Sequence, residues 1–325
     1  MTRYTLAALA LLATPAAAQT RFGVNLSGCT FVENGSLCPT VDDVAGDIDK
    51  AGFRSIRLPF HGSQASNPVI IQRIHDIVKA ANARNVPVIL DRHDYQWPTP
   101  AAQIAFWIPI LRRMNDPEMV MVDLMNEPKR FNDPVMTNDW LQWVRDTNLI
   151  IAGIRKAGIR NRILVEWPQY SASFRFDKKE PASKECQSAA CAIDRTPGGL
   201  ADPLKRVILS PHRYFNTGAS GTTAPCVSKG DGQLGEFAVA ARKRGFKAIL
   251  GEYAFGNYKG APASCAAISV AVMASLKADP DVWIDAMAWG GGRAWPDSYI
   301  FKIEPAKGAR AKAPLPDLVK VMAGR

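Results

Sequence analysis

Short apolar runs alternate with helix-period stretches along the whole chain, and few architectures accept that order. Candidate strands fall at residues 22–26, 54–59, 86–91, 120–125, 163–167, 206–210, 247–251 and 282–289. Candidate helices lie at about 41–51, 68–84, 100–113, 138–157, 235–244 and 261–278, with a last one at about 315–322. In the second of these, Ile70, Ile71, Ile74, Ile77, Val78 and Ala81 recur at helical spacing and define one apolar face. Thr40 can cap the first helix, Asp42 and Asp43 suit its positive end, and Gly52 can close it. Strands joined through helices pair in parallel, and eight such units close into a (β/α)8 TIM barrel of the α/β class. Repeat periods of solenoids and propellers are absent, and no Ser/Thr/Pro-rich linker leads to a further module. One segment, 168–201, reads as a long irregular loop that walls the mouth of the barrel.

The first residues do not belong to that pattern. Arg3 gives a positive start, 6–13 is an apolar run too short to span a bilayer, and Ala16, Ala17 and Ala18 supply small residues for cleavage. The expectation is a signal peptide over 1–18 and one catalytic domain over 19–325, secreted or periplasmic, with no membrane contact after cleavage. Six cysteines suit an oxidising compartment: Cys29, Cys38, Cys186, Cys191, Cys226 and Cys265. Fifteen connectivities are open. Pairing sequence neighbours gives Cys29–Cys38, Cys186–Cys191 and Cys226–Cys265. The spacings match no common zinc pattern, so no metal is expected. The formal charge of +10 falls by one when Arg3 leaves. Apart from a tail of Lys302, Lys307, Arg310 and Lys312 the basic residues are scattered. No basic helix or aromatic-basic ribbon points to nucleic acid.

Chemistry concentrates where strands end. Residues 120–125 are apolar except for Asp123, and Pro128 stops the run, which holds Asn126 and Glu127 at the carboxyl end of a central strand. Glu252 stands in the same relation to 247–251. Glu127 alone would read as a solvated loop carboxylate. A pair of glutamates on one barrel rim can instead divide the work of proton donor and nucleophile. The other strand ends supply Arg57, His93, His212, Tyr214 and Trp289.

This ordered set of eight resembles glycoside hydrolase family 5, the retaining cellulase family. The resemblance extends to Gly23-Val24-Asn25-Leu26-Ser27-Gly28, Arg57-Leu58-Pro59-Phe60 and Gly251-Glu252-Tyr253, and it covers the whole mature chain. It implies that Glu127 is the general acid/base, in a site that disfavours its charge, and that Glu252 is the nucleophile, with Arg57 as counter-charge and Tyr214 on its oxygen. It implies Asn126 on the sugar 2-hydroxyl, His93 and His212 on hydroxyls or the two carboxyls, and Trp289 beneath a pyranose ring. Trp295 resembles the family's following aromatic. The two carboxyls should lie about 5 Å apart.

The resemblance further implies an endo-β-1,4-glucanase acting on soluble or amorphous β-glucan, without cofactor and as a monomer. Alternatives are a β-mannanase, β-1,3-glucanase or β-glucosidase on the same machinery, or a non-catalytic binder of envelope polysaccharide. Trp97, Trp167 and Trp295 are either further sugar platforms or loop anchors, while Trp107, Trp140, Trp143 and Trp283 read as core. His61 is a possible cleft residue and His75 a structural one. Three features depart from the family pattern: Glu166 ending the fifth strand, Lys129 near the mouth, and the bare Gly290-Gly291-Gly292 turn.

Overall fold

Each apolar run becomes a strand that pairs in parallel with its neighbours. In the computed structural model, which describes residues 19–129, 139–178, 185–256, 263–303 and 317–324, the strands are β1 (Arg21–Leu26), β2 (Ile56–Phe60), β3 (Val88–Arg92), β4 (Val120–Asp123), β5 (Arg162–Val165), β6 (Val207–Leu209), β7 (His212–Tyr214), β8 (Lys247–Ala254) and β9 (Trp283–Gly291). Their order is β6-β5-β4-β3-β2-β1-β9-β8-β7, and pairing of β6 with β8 closes the ring. The sixth stave is read from sequence as one strand. It is two, because Pro211 cannot donate to the ladder between β6 and β7. The expected (β/α)8 barrel is therefore present, with eight staves made of nine strands. The proposed signal peptide, and Lys307, Arg310 and Lys312 of the basic tail, lie outside the described residues.

Helices α1 (Val41–Ala45), α2 (Pro68–Asn82), α3 (Pro100–Arg113), α4 (Trp140–Lys156), α5 (Ala189–Arg195), α6 (Leu234–Lys243), α7 (Ala263–Ala278) and α8 (Asp317–Met322) accompany the sheet. Local chemistry starts several of them. Asn67 accepts from the Val69 and Ile70 amides with Pro68 in the first turn of α2, and Asp139 accepts from the Gln142 amide of α4. The first helix is shorter than its pattern suggests. After Ala45 the chain widens into a π-helical stretch, Gly46–Ala51, before Gly52 ends it with φ 86°. The irregular segment after β5 also contains order that the sequence reading lacks. Ser188 caps α5, whose Ala189, Ala190, Ala192 and Ile193 are buried, and Cys186–Cys191 staples its entry. A short run of alanines carries too little hydrophobic contrast to announce a helix face. The other two bridges also join sequence neighbours, Cys29–Cys38 and Cys226–Cys265.

Alternation along the strands sorts side chains into layers. Facing the helices are Val88, Leu90, Val120, Val122, Ile163 and Val165, all within the large outer core. Facing inward, Ile89, Met121, Leu164, Ile208, Ile249 and Met287 form a separate apolar plug. On β1 the corresponding position is Gly23, where a Cβ would come within 2.1 Å of Ser55 Oγ and 2.7 Å of Met287 Cε. Two residues further toward the carboxyl ends, the same inward rows carry Asp91, Asp123, Glu166 and Ser210, joined by Asn25 of β1 and Arg57 of β2. All six are buried.

Candidate active site

Arg57 is the centre of the polar layer. Its guanidinium is wholly buried and reaches four carboxylates: Asp91 at 3.2 Å, Asp123 at 3.2 Å, Glu166 at 3.0 Å and Glu252 at 2.9 Å. It also donates to Asn25 Oδ1 and Asn126 Oδ1. Burial alone would lower its pKa, but the four acids hold it well above the usual value, so Arg57 is a fixed cation. One cation cannot neutralise four acids. Burial accordingly pushes Asp123 and Glu166 up, and each is raised further by a neighbouring carboxylate.

Glu252 enters this layer through an irregularity. Leu250 pairs with Ala286 but Tyr253 with Ala288, so β8 spends three residues where β9 spends two. The bulge lets Tyr253 pack outward in the core while Glu252 turns into the mouth. Burial would raise the Glu252 carboxyl, but the charges of His212, Arg57 and His93, with the hydrogen bond from Tyr214, hold it below the ordinary carboxylate value. The Tyr214 hydroxyl donates to Glu252 Oε2 at 2.7 Å, and burial beside that carboxylate keeps the phenol protonated.

Glu127 follows β4 on a backbone with φ 40°, a left-handed conformation uncommon outside glycine. Its Oε1 lies 3.0 Å from His212 Nδ1, and the same nitrogen is 3.6 Å from Glu252 Oε2. His212 thus sits between the two glutamates. Burial disfavours its charge, but Glu166, Glu252 and Glu127 together raise its pKa well above the usual value. Ligand atoms of Glu127, His212 and Glu252 all fall within 4.8 Å of one another. A divalent cation could be held by such a trio. The same spacing also suits two carboxyls working across one sugar bond.

A family model described as cellulase (glycosyl hydrolase family 5) matches residues 17–292. The chain belongs to glycosyl hydrolase family 5. It is 26% identical over 322 residues to endo-beta-1,4-glucanase B of Emericella nidulans, covering 89% of this chain and 87% of that one. Against endo-beta-1,4-glucanase A of the same organism it is 24% identical, covering 92% and 91%. Among solved structures, XacCel5A in complex with cellopentaose superposes with a TM-score of 0.77 at 25% identity, covering 94% of this chain and 99% of that one.

The barrel of this family 5 glycoside hydrolase brings all eight strand-end residues to one mouth, and their partners refine the expectations. Asn126 Oδ1 is occupied by Arg57, whereas its buried Nδ2 has no hydrogen-bond partner among the described residues. His93 does not reach the glutamates. Its Nδ1 is 2.7 Å from Asp91 and its Nε2 is 3.0 Å from the Tyr95 hydroxyl. Trp289 is 9% exposed, stacks near His93 and donates through Nε1 to the Tyr299 hydroxyl. Trp295 lies against the Tyr299 ring at 3.8 Å and donates to Gly291 O. Trp167 is fully buried between Phe176 and Phe237, which makes it an anchor and not a sugar platform. Trp97 packs against the core. Trp107, Trp140, Trp143 and Trp283 are core, as read. His61 pairs with Asp94 at 3.3 Å on the rim. Lys302, grouped with the basic tail on sequence, is buried and paired with Asp297 at 2.7 Å.

The sequence reading missed Asp91, Tyr95 and Tyr299 altogether and noticed Asp123 without assigning it. Asp91 and Asp123 carried a usable signal, each being the lone acid at an inward position of an apolar strand. Tyr299 lies in a segment without period, where nothing marks it.

Proposed function

We propose that this chain is a retaining endo-β-1,4-glucanase acting on soluble or amorphous β-glucan. The supporting observation is that Glu127 and Glu252 present carboxylate oxygens within 4.8 Å of each other, the spacing of a retaining pair. Glu252 is the nucleophile. Its oxygen attacks the anomeric carbon while Glu127 delivers its proton to the leaving glycosidic oxygen, which gives a glycosyl ester and a shortened chain. Glu127, now a carboxylate, takes a proton from water, whose oxygen displaces Glu252 and restores both groups. The depressed Glu252 keeps its nucleophilic form, the Asn126 amide is free for the 2-hydroxyl, and Trp289 with Trp295 offers aromatic faces for sugar rings. The cellopentaose complex of a structural relative fits a groove that accepts the interior of a chain. Three disulfides support a secreted or periplasmic site of action after removal of 1–18, and we propose a monomer.

Product profiles on carboxymethyl cellulose, mannan and laminarin test the substrate, and NMR of the first-formed anomer tests retention. Preference for mannan or laminarin would overturn the substrate. Glu252→Ala and Glu127→Ala should each lose about 10³-fold in kcat with the fold intact. Wild-type rates in both would overturn the mechanism, and no turnover by the wild type on any of these glycans would leave only a polysaccharide binder.

A further inference from the structure

The reaction asks of Glu127 a fixed direction for its carboxyl. Two donors and a histidine nitrogen converge on a different acid to supply it. Glu166 follows β5 and is 1% exposed. Its Oε2 accepts from the Glu127 amide at 2.7 Å. Its Oε1 accepts from Arg57 Nη2 at 3.0 Å and lies 3.0 Å from His212 Nε2. Its own carbonyl is held by Trp143 Nε1 at 2.9 Å.

We propose that Glu166 is a positioning residue that acts through Glu127 from both ends. At the backbone end, its carboxylate anchors the amide of a residue in the left-handed region, a conformation unfavourable for a residue that carries a side chain. The preceding amide, of Asn126, is tied to Arg92 O at 2.9 Å, so two successive amides beyond β4 are clamped. At the side-chain end, Glu166 Oε1 faces His212 Nε2 at 3.0 Å and favours the imidazolium, which fixes the ring whose Nδ1 lies 3.0 Å from Glu127 Oε1. The arrangement parallels a carboxylate orienting a catalytic histidine. A carboxylate is needed because the guanidinium and the amide each donate to one of its two oxygens while the His212 ring lies 3.0 Å from one of them. A glutamine would offer one oxygen and oppose the remaining donor with an NH2 group.

The test separates an acid-specific defect from general damage. Cellotetraose needs its leaving oxygen protonated, whereas 2,4-dinitrophenyl β-cellobioside has a leaving group that departs unaided. Glu166→Gln should lower kcat/KM on cellotetraose about 10²-fold and on the dinitrophenyl glycoside by less than about threefold. Glu166→Asp, which keeps the charge but draws it back, should show the same split in weaker form and serves if the glutamine variant does not fold. Equal losses on both substrates, or no loss on either, in a variant with native circular dichroism would overturn the proposal. It rests on the hydrolase reading above. Wild type failing on both substrates would sink that reading, whereas wild type cleaving both while the variants slow equally would sink only the role of Glu166.

Discussion

The inside of this barrel is two rings one pleat apart, and they obey opposite rules. The lower ring, Ile89, Met121, Leu164, Ile208, Ile249 and Met287, is apolar and fills the bore. The upper ring, built on the same inward rows, contains Asp91, Asp123, Glu166 and Arg57 at similar depth. The lower ring stabilises by removing apolar surface from water. The upper one removes charge from water, which costs several kcal/mol per ion before the pairings return it. A layer that gives so little net stability is retained for what it holds in place: Glu252 through Arg57, and Glu127 through Glu166 and His212. One ring supports the fold and the next supports the chemistry, although two residues of strand separate them.

That division can be broken in order of expected size. Arg57→Met leaves the acids around it without their cation. It should cost about 3–5 kcal/mol of stability, read by urea unfolding, and should also abolish measurable turnover. Retained activity would mean that the polar ring does not hold Glu252. Met121→Ala opens a hole in the lower ring and should cost about 2–5 kcal/mol, while kcat measured well below the melting temperature stays within about twofold. A large fall in kcat there would erase the distinction between the rings. The mildest change is Tyr214→Phe. The Tyr214 hydroxyl is one of the groups that lower Glu252, and the ionised carboxylate is the reactive form, so activity is lost as pH falls through the folded-state pKa. Deleting the hydroxyl should raise that pKa, and the acid limb of kcat/KM should move to higher pH. An unmoved limb would remove Tyr214 from the set that tunes the nucleophile.

How much of this was legible follows from the same layering. Strand ends are visible in a sequence because prolines and polar residues interrupt apolar runs, and that is how Asn126, Glu127, His212 and Glu252 were found. Inward positions within a strand are visible only if the pleat is counted, and counting from Ile89 and Met121 would have reached Asp91 and Asp123. The bulge that turns Glu252 inward leaves no mark in 247–254, because the extra residue shows only in how β8 pairs with β9. Trp167 misleads for a related reason. It follows a strand end like the mouth residues, yet its ring lies among Phe176 and Phe237 in the core.

Because a single guanidinium serves four acids, none of those acids can drift alone. A lineage that replaced Asp91 or Asp123 would change the charge felt by Glu252 and by the groups that hold Glu127, so substitutions there should be inherited in compensating sets. Residues that never touch the polymer would then diverge as slowly as those that do.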